Sequence, residues 1–156
     1  MNKKTTLQSI TDMLDETKLG QEFNRAEIEI IARYVALQQV RKGEHIFRQG
    51  ERQNFMAFIV DGKVDIIKES SDTLEIIVVT LLPRTYFGEM SFVDEEPRSA
   101  SAVAKEDATL LILSTDNFER ICAEHPKIGM RFIRNIAKLI SQRLRMTTGK
   151  LVYTRA

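Results

Sequence analysis

The sequence has very few of the residues that build covalently linked or metal-held sites. It contains one cysteine, Cys122, and two histidines, His45 and His125, among 156 residues. A single cysteine excludes an internal disulfide, an iron–sulfur cluster and a thiolate zinc site, and two distant histidines are too few for a histidine-rich metal centre. We therefore expect no metal cofactor, and we expect these three side chains to pack in the core or face solvent.

Glycine and proline are also scarce, and long apolar runs are missing. The chain has 7 glycines and 3 prolines, with 43% hydrophobic and 29% charged residues. This composition is that of an ordinary folded protein, and at about 150 residues per domain the length predicts a single domain, 1–156. No apolar run approaches the roughly 18 residues of a membrane span, and the polar start does not resemble a signal peptide. These absences predict a cytoplasmic protein with no membrane partner.

Acidic residues are missing from the last fifth of the chain. The net charge is +1, yet residues 125–156 hold eight basic residues and no acid, so the remainder has a net charge of −7. A basic end of this kind is usually a solvated helix face, and nucleic-acid binding is the alternative. The eight residues are Lys127, Arg131, Arg134, Lys138, Arg143, Arg145, Lys150 and Arg155.

Helices are predicted at both ends of the chain. In segment 5–19 apolar residues are spaced three and four apart, and Asn24 with Glu27 fits a capping box for a helix over 26–37. N-terminal helices are therefore expected within 1–39. After residue 114, a first helix is followed by a break at His125-Pro126 and then by one long helix.

The apolar band of that last helix is wider than the face that a helix needs to pack against one neighbour. This width predicts packing both on its own domain and on a second copy, and burial against the β region alone is the alternative.

Between residues 40 and 113 the pattern changes to short apolar runs separated by turns. Six runs follow one another, and glycines 43, 50, 62 and 88 are available for left-handed backbone conformations. Asp61-Gly62, between two apolar runs, is a hairpin signal. Turn signals every 8 to 12 residues or so are typical of a sandwich, barrel or roll.

One segment of this β region, 87–103, combines the groups of an anion site. Gly88 lets the backbone come close to a ligand, and the residues after it can form one helical turn whose N–H groups attract phosphate. Arg98 offers a planar fork for two phosphate oxygens, and Ser99 adds a hydroxyl. Glu89 can accept hydrogen bonds from a sugar hydroxyl or orient Arg98. Together these groups fit a ribose phosphate.

Residues 87–100 resemble the phosphate-binding cassette of the cyclic-nucleotide-binding domain family, which includes the catabolite activator protein and the regulatory subunits of cAMP-dependent protein kinase. The family pattern runs Phe-Gly-Glu, an aliphatic residue, a small residue and, after variable positions, Arg, a small or hydroxyl residue and Ala. Upstream turns agree in order, and the resemblance covers roughly 20–148. The matching residues are Phe87, Gly88, Glu89, Met90, Ser91, Arg98, Ser99 and Ala100.

The resemblance implies a mainly β fold with flanking α-helices: a double-stranded β-helix, or jelly-roll-like β-roll, over 40–113, with N-terminal helices and C-terminal helices over 114–156. Arg98 would clamp the cyclic phosphate and Glu89 would take the ribose 2′-hydroxyl. The remaining ligand contacts would come from Gly88, Met90, Ser91, Ser99 and Ala100 and, at the base, from Arg143, Thr147 and Thr148.

The function implied by the resemblance is that of a stand-alone regulatory domain that binds cAMP. Family members that prefer cGMP often place Thr where Ser99 stands, so cGMP is less favoured. Movement of the C-terminal helix would alter a homodimer or expose a surface to an effector protein in trans. Only eight residues follow Thr148, too few for a helix-turn-helix, so no DNA-binding domain is expected.

Two other classes of function are alternatives to this one. The first is a ligand-independent dimerisation or protein-interaction module with a vestigial pocket. The second is an enzyme, which is not expected because the sequence offers no metal triad, no Ser-His-Asp grouping and no supported pair of catalytic carboxylates.

Arg84 departs from the family pattern. It stands four residues before Gly88, where the family usually has a turn glycine. Either the turn has a different backbone geometry, or Arg84 adopts a strained conformation.

Overall fold

Within residues 6–72 and 74–154, eight antiparallel strands pair first with last along the sequence. The pairs are β1 (Ala36–Val40) with β8 (Ala108–Ser114), β2 (His45–Phe47) with β7 (Ser101–Ala104), β3 (Phe55–Asp61) with β6 (Tyr86–Phe87), and β4 (Val64–Glu69) with β5 (Glu75–Leu81). Further pairing of β3 with β8 and of β4 with β7 completes two sheets, β1-β8-β3-β6 and β2-β7-β4-β5. This is the order of a long hairpin rolled into a jelly roll, so the predicted β-roll is confirmed.

The computed structural model describes residues 6–72 and 74–154. Contacts between residues divide the chain into two units, Met1–Phe118 and Glu119–Ala156. The first unit holds the roll and the helices before it, and the second holds the larger part of the C-terminal helical region. Each unit is described by itself below.

The helices before the roll are shorter than the sequence predicts. They are α1 (Leu7–Asp15), a 3-10 helix (Lys18–Gln21) and α2 (Arg25–Ala32). The predicted capping box is confirmed, because the Asn24 side chain accepts from the Glu27 N–H and the Glu27 carboxylate accepts from the Asn24 N–H. The helix predicted over 26–37 is wrong at its end. Pairing of β1 with β8 draws residues 36–40 into the sheet, which overrides their local helical pattern.

The space between the two sheets is filled by apolar side chains from most of the strands. Each of these side chains is less than a tenth exposed, and burial of a large apolar side chain contributes about 1.5–3 kcal/mol to folding. The cluster consists of Val40, Ile46, Phe47, Ala57, Ile59, Val64, Phe87, Ala102, Ala104, Ala108 and Leu110. Phe47 and Phe87 bring this core up to the segment that carries the candidate site.

The Asp61-Gly62 turn is not the hairpin that the sequence predicts. It ends β3 in one sheet and leads into β4 in the other, so it carries the chain between sheets. Gly62 has φ +88°, and a Cβ there would lie 2.4 Å from the carbonyl oxygen of Asp107. Both the positive φ and the close packing therefore require glycine here, but the turn connects two sheets and does not pair β3 with β4. The hairpin lies one strand later, between β4 and β5.

Arg84 adopts the strained alternative, with φ +78°. Its N–H donates to the Ile59 carbonyl at 2.8 Å, and its carbonyl accepts from the Lys18 N–H at 2.9 Å, so the turn is fixed from both sides. A left-handed conformation costs a residue other than glycine on the order of 1 kcal/mol.

Arg84→Gly is therefore expected to raise the free energy of unfolding by about 0.5–1 kcal/mol, because glycine adopts this φ without strain. Urea denaturation measures the change. Arg48→Gly, at an exposed position where no such strain is recorded, is the control and is expected to give no gain. A lower midpoint for Arg84→Gly than for the wild type would contradict the strain.

The C-terminal region has the predicted break at His125. Helix α4 (Thr115–Glu124) begins where the Ser114 hydroxyl accepts from the Asn117 N–H, and α5 spans Pro126–Thr154. A Cβ on Gly129 would lie 2.6 Å from Cys122 Sγ, so the two helices approach closely at this point. Burial, with a smaller effect of Glu119, raises the pKa of the Cys122 thiol, which fits a packed and unreactive side chain. Over the described residues, no helix is both long and apolar enough to cross a membrane.

Candidate ligand-binding site

Arg98 is the centre of the candidate site, and its backbone is fixed to the loop that follows β2. The Arg98 N–H donates to the Glu51 carbonyl at 2.8 Å, and its own carbonyl accepts from the Gly50 N–H at 2.8 Å. The N–H of Gln49 donates to the Ser101 hydroxyl at 2.8 Å, which extends the connection to β7. Arg98 is only 7% exposed, so its side chain lies inside the roll and not on its surface.

The guanidinium of Arg98 is hydrogen-bonded to backbone carbonyls. Nη1 donates to the Gly88 carbonyl at 3.1 Å and Nη2 to the Phe55 carbonyl at 2.5 Å. The buried Nε has no hydrogen-bond partner among the described residues. A guanidinium carries five N–H donors, and a buried donor left unpaired is costly. The site therefore retains buried donor capacity that an anion can satisfy.

Aromatic rings surround the same guanidinium. Its Cζ lies 4.0 Å from the centroid of the Phe47 ring and 5.0 Å from that of Phe55. Phe47 in turn packs edge-on against Phe55 at 6.0 Å and lies 5.9 Å from Phe87. The cation is thus held in an apolar setting.

Electrostatics at Arg98 favour a bound anion. Burial lowers the pKa of Arg98 from its usual range to about 10, and the negative charges of Glu89 and Glu51 oppose this shift. The side chain remains a cation at neutral pH, but one that is poorly solvated. A buried cation gains most from a partner of opposite charge with matching hydrogen-bond geometry.

Gly88 is closely packed against Arg98, and the predicted close approach of its backbone to a ligand stays a prediction. It has φ +80°, and a Cβ there would lie 3.0 Å from both Arg98 Nη1 and the Phe55 carbonyl oxygen. The group that approaches is the guanidinium, so Gly88 makes room for the candidate anion-binding side chain. The Gly88 carbonyl also accepts from the Ser91 hydroxyl at 2.9 Å, at the start of α3 (Ser91–Asp94), which is the predicted short turn.

The structure brings together some of the predicted site residues and leaves others at the surface. Gly88, Ser91 and Arg98 form one hydrogen-bonded group, and Glu89, 2% exposed, adds a buried carboxylate whose charge acts on Arg98. Met90 is half-exposed and Ser99 is exposed, while Ala100 is partly buried. The ligand contacts assigned to these cassette residues stay predictions.

The three predicted base-contact residues lie on α5, in the second unit. Arg143 and Thr148 are exposed, and the Thr148 hydroxyl donates to the Leu144 carbonyl at 3.0 Å within its own helix. The side chain of Thr147 lies outside the described residues. Contact of these residues with a base therefore stays a prediction.

Sequence reasoning missed the aromatic pair around Arg98. Phe47 and Phe55 fall in runs that predict strands, and nothing in those runs indicates a contact with a cation. The signal is in the strand register: Phe47 pairs with Ala102, only four residues after Arg98. Once β2 and β7 are paired, an aromatic residue at the end of β2 is a natural neighbour of the arginine.

Comparisons with known proteins match the family that the cassette resembles. A model of the family described as the cyclic nucleotide-binding domain matches residues 37–125, more than half of the chain and all of the cassette. The Cyclic AMP receptor protein of Thermus thermophilus is 33% identical over 119 residues, which cover 76% of this chain and 53% of that protein. The chain thus spans about half the length of this curated relative.

Solved structures match over most of the chain. The catabolite activator protein of Thermus thermophilus superposes with a TM-score of 0.71 at 31% identity, covering 81% of this chain and 57% of that one. A cyclic nucleotide-binding domain from Methylobacillus flagellatus gives a TM-score of 0.80 at 23% identity, covering 94% and 82%. The second match supports the fold alone, and both support a β-roll flanked by helices.

Proposed function

The chain belongs to the cyclic nucleotide-binding domain family, and on that premise we propose that it binds cAMP with the cyclic phosphate at Arg98. The observation that carries the proposal is the buried guanidinium, whose Nε has no partner among the described residues. Membership of this family also confirms the prediction of a binding domain rather than an enzyme. The name of the Thermus thermophilus relative, Cyclic AMP receptor protein, supports cAMP as the ligand.

The phosphate contact follows from the chemistry of the two groups. A cyclic phosphodiester has one negative charge and two free oxygens, which match the planar fork of a guanidinium. Inside the roll the pair is shielded from water, so the interaction is stronger than at a surface. The buried carboxylate of Glu89 is the group we assign to the ribose 2′-hydroxyl.

The proposal also covers the preference for cAMP over cGMP and the effect of ligand binding on α5. Ser99, where cGMP-preferring relatives often have Thr, favours cAMP. Arg143, Thr147 and Thr148 are the residues we assign to the base, so ligand binding would bias the position of α5. A bias of this kind can pass a signal to a second copy or to an effector protein.

A second candidate function, self-association, is favoured by an exposed apolar stripe on α5. Its members are spaced alternately three and four residues apart, as in the seam of a coiled coil. This stripe is separate from the buried positions of the same helix, Ile128, Phe132 and Ile136. The seam residues are Met130, Ile133, Ala137, Ile140 and Leu144, of which Met130 and Leu144 are 60% and 65% exposed.

Titration calorimetry with cAMP, cGMP and 5′-AMP tests the proposal, with light scattering on the same sample. We expect micromolar or tighter binding of cAMP, weaker binding of cGMP and no measurable binding of 5′-AMP, whose open phosphate lacks the ring geometry. Equal binding of cAMP and 5′-AMP would contradict a cyclic-phosphate site. A stable dimer with no response to any of the three would favour the interaction module instead.

A further inference from the structure

Phe47 and Phe55 both contact the guanidinium of Arg98, and Phe47 lies closer to it. The distance from Cζ to the ring centroid is 4.0 Å for Phe47 and 5.0 Å for Phe55. Both fall within the roughly 6 Å over which a cation is attracted to the face of an aromatic ring. Since Phe47 is 6% exposed and Arg98 is 7% exposed, water competes little with this contact.

The two kinds of contact restrict different motions of the guanidinium. The hydrogen bonds to the carbonyls of Gly88 and Phe55 fix the direction in which Nη1 and Nη2 point. The Phe47 ring lies beneath Cζ and limits how far the group can move away from it. An arginine side chain has many rotamers, so restricting it before the ligand arrives lowers the entropy cost of binding.

The position of Phe47 is set by the core of the roll, to which Phe87 at the start of the cassette also belongs. Its backbone pairs with Ala102 in β7, and its ring contacts Phe55 on β3 and Phe87 on β6. Strand pairing and core packing therefore support Phe47 in addition to its contact with Arg98. This gives the arginine an anchor outside the segment that surrounds the ligand.

We propose that Phe47 is a positioning residue that holds Arg98 in the orientation required for phosphate binding. This inference rests on the proposed function, and it adds to the cassette a residue some fifty positions from Arg98 in the sequence. Phe47 acts through Arg98, so its replacement should weaken nucleotide binding even where the roll still folds.

Phe47→Leu tests the inference, because leucine keeps an apolar side chain at this position but removes the ring. We expect the affinity for cAMP to fall about 10-fold, because an arginine without the ring has more rotamers to lose when the ligand binds, at a cost of about 1.4 kcal/mol. Phe47→Tyr keeps the ring face and is expected to stay within about 3-fold of the wild type. Phe58→Leu is the matched control, since Phe58 is fully buried on β3 and packs on Tyr86, and this substitution is expected to lower stability but leave affinity unchanged.

A spectroscopic measurement on the ligand-free protein separates positioning from general loss of structure. The ring current of Phe47 should shift the NMR signals of the Arg98 side-chain protons upfield in the wild type and in Phe58→Leu, and this shift should be lost in Phe47→Leu. Equal affinities for wild type and Phe47→Leu, or equal losses in Phe47→Leu and Phe58→Leu, would overturn this inference and leave the proposed function standing. Absence of cAMP binding by the wild type would overturn both.

Discussion

Arg98→Met is expected to abolish tight cAMP binding and leave the ligand-free fold intact. Removing one partner of a buried, hydrogen-bonded charge pair typically costs about 2–5 kcal/mol of binding free energy, which is roughly a 30-fold to several-thousand-fold loss of affinity. Methionine fills much of the same apolar space between Phe47 and Phe55 but offers no hydrogen-bond donor. Titration calorimetry of the variant with cAMP measures the loss.

The stability of Arg98→Met should be unchanged or higher at neutral pH. In the folded chain, burial lowers the pKa of Arg98 to about 10, below that of the exposed side chain. The charged form is therefore disfavoured by folding at every pH below about 10, and the penalty is relieved only as the pH rises above that value. Methionine removes this penalty, which offsets the loss of the hydrogen bonds to the Gly88 and Phe55 carbonyls.

Arg52→Met is the matched control, because Arg52 is exposed. It is expected to change neither the affinity for cAMP nor the melting temperature. Binding of cAMP by Arg98→Met with the affinity of the wild type would contradict the assignment of the phosphate to Arg98. An unfolded Arg98→Met would instead show that the arginine is a structural residue.

Gly88→Ala is expected to lower both stability and cAMP binding. The added Cβ would lie 3.0 Å from Arg98 Nη1 and from the Phe55 carbonyl oxygen, and the backbone would have to hold φ +80°. The left-handed conformation alone costs about 1–2 kcal/mol for alanine. Displacement of the guanidinium adds to this, and we expect cAMP affinity to fall at least about 10-fold, equivalent to 1.4 kcal/mol.

Gly43→Ala is the control that separates the two effects of Gly88→Ala, which are backbone strain and displacement of the Arg98 guanidinium. Gly43 has φ +86°, but a Cβ there would meet nothing within 4 Å. Urea denaturation should therefore show the cost of backbone strain for both variants, while calorimetry should show weakened binding for Gly88→Ala alone. Equal cAMP affinities for the two variants would contradict the tight packing of Gly88 against Arg98.

Much of the fold could be predicted from the sequence where local chemistry decides the structure. The capping box of Asn24 and Glu27 and the break before Pro126 depend on neighbouring residues, and both are found in the structure. Arg84 is predicted to be strained if the turn is kept, and its φ is +78°. The predicted end of α2 and the predicted hairpin at Gly62 were wrong. Pairing of β1 with β8 decides the first, and the placement of β3 and β4 in different sheets decides the second.

The candidate site was predictable in its cassette and not in its surroundings. Gly88, Ser91 and Arg98 are close in sequence, so a spacing pattern identifies them together. Phe47 and the Phe55 carbonyl reach Arg98 only through the strand pairing of the finished roll. Spacing within one segment carries no information about these contacts.

A crystal structure of the complex with cAMP tests the central claim most directly. We predict both free phosphate oxygens within about 3 Å of guanidinium nitrogens of Arg98, with the ribose 2′-hydroxyl donating to the Glu89 carboxylate. Arg98 should remain against the face of Phe47. A nucleotide bound elsewhere, or a phosphate with no contact to Arg98 while Nη1 and Nη2 keep their bonds to Gly88 and Phe55, would contradict the account.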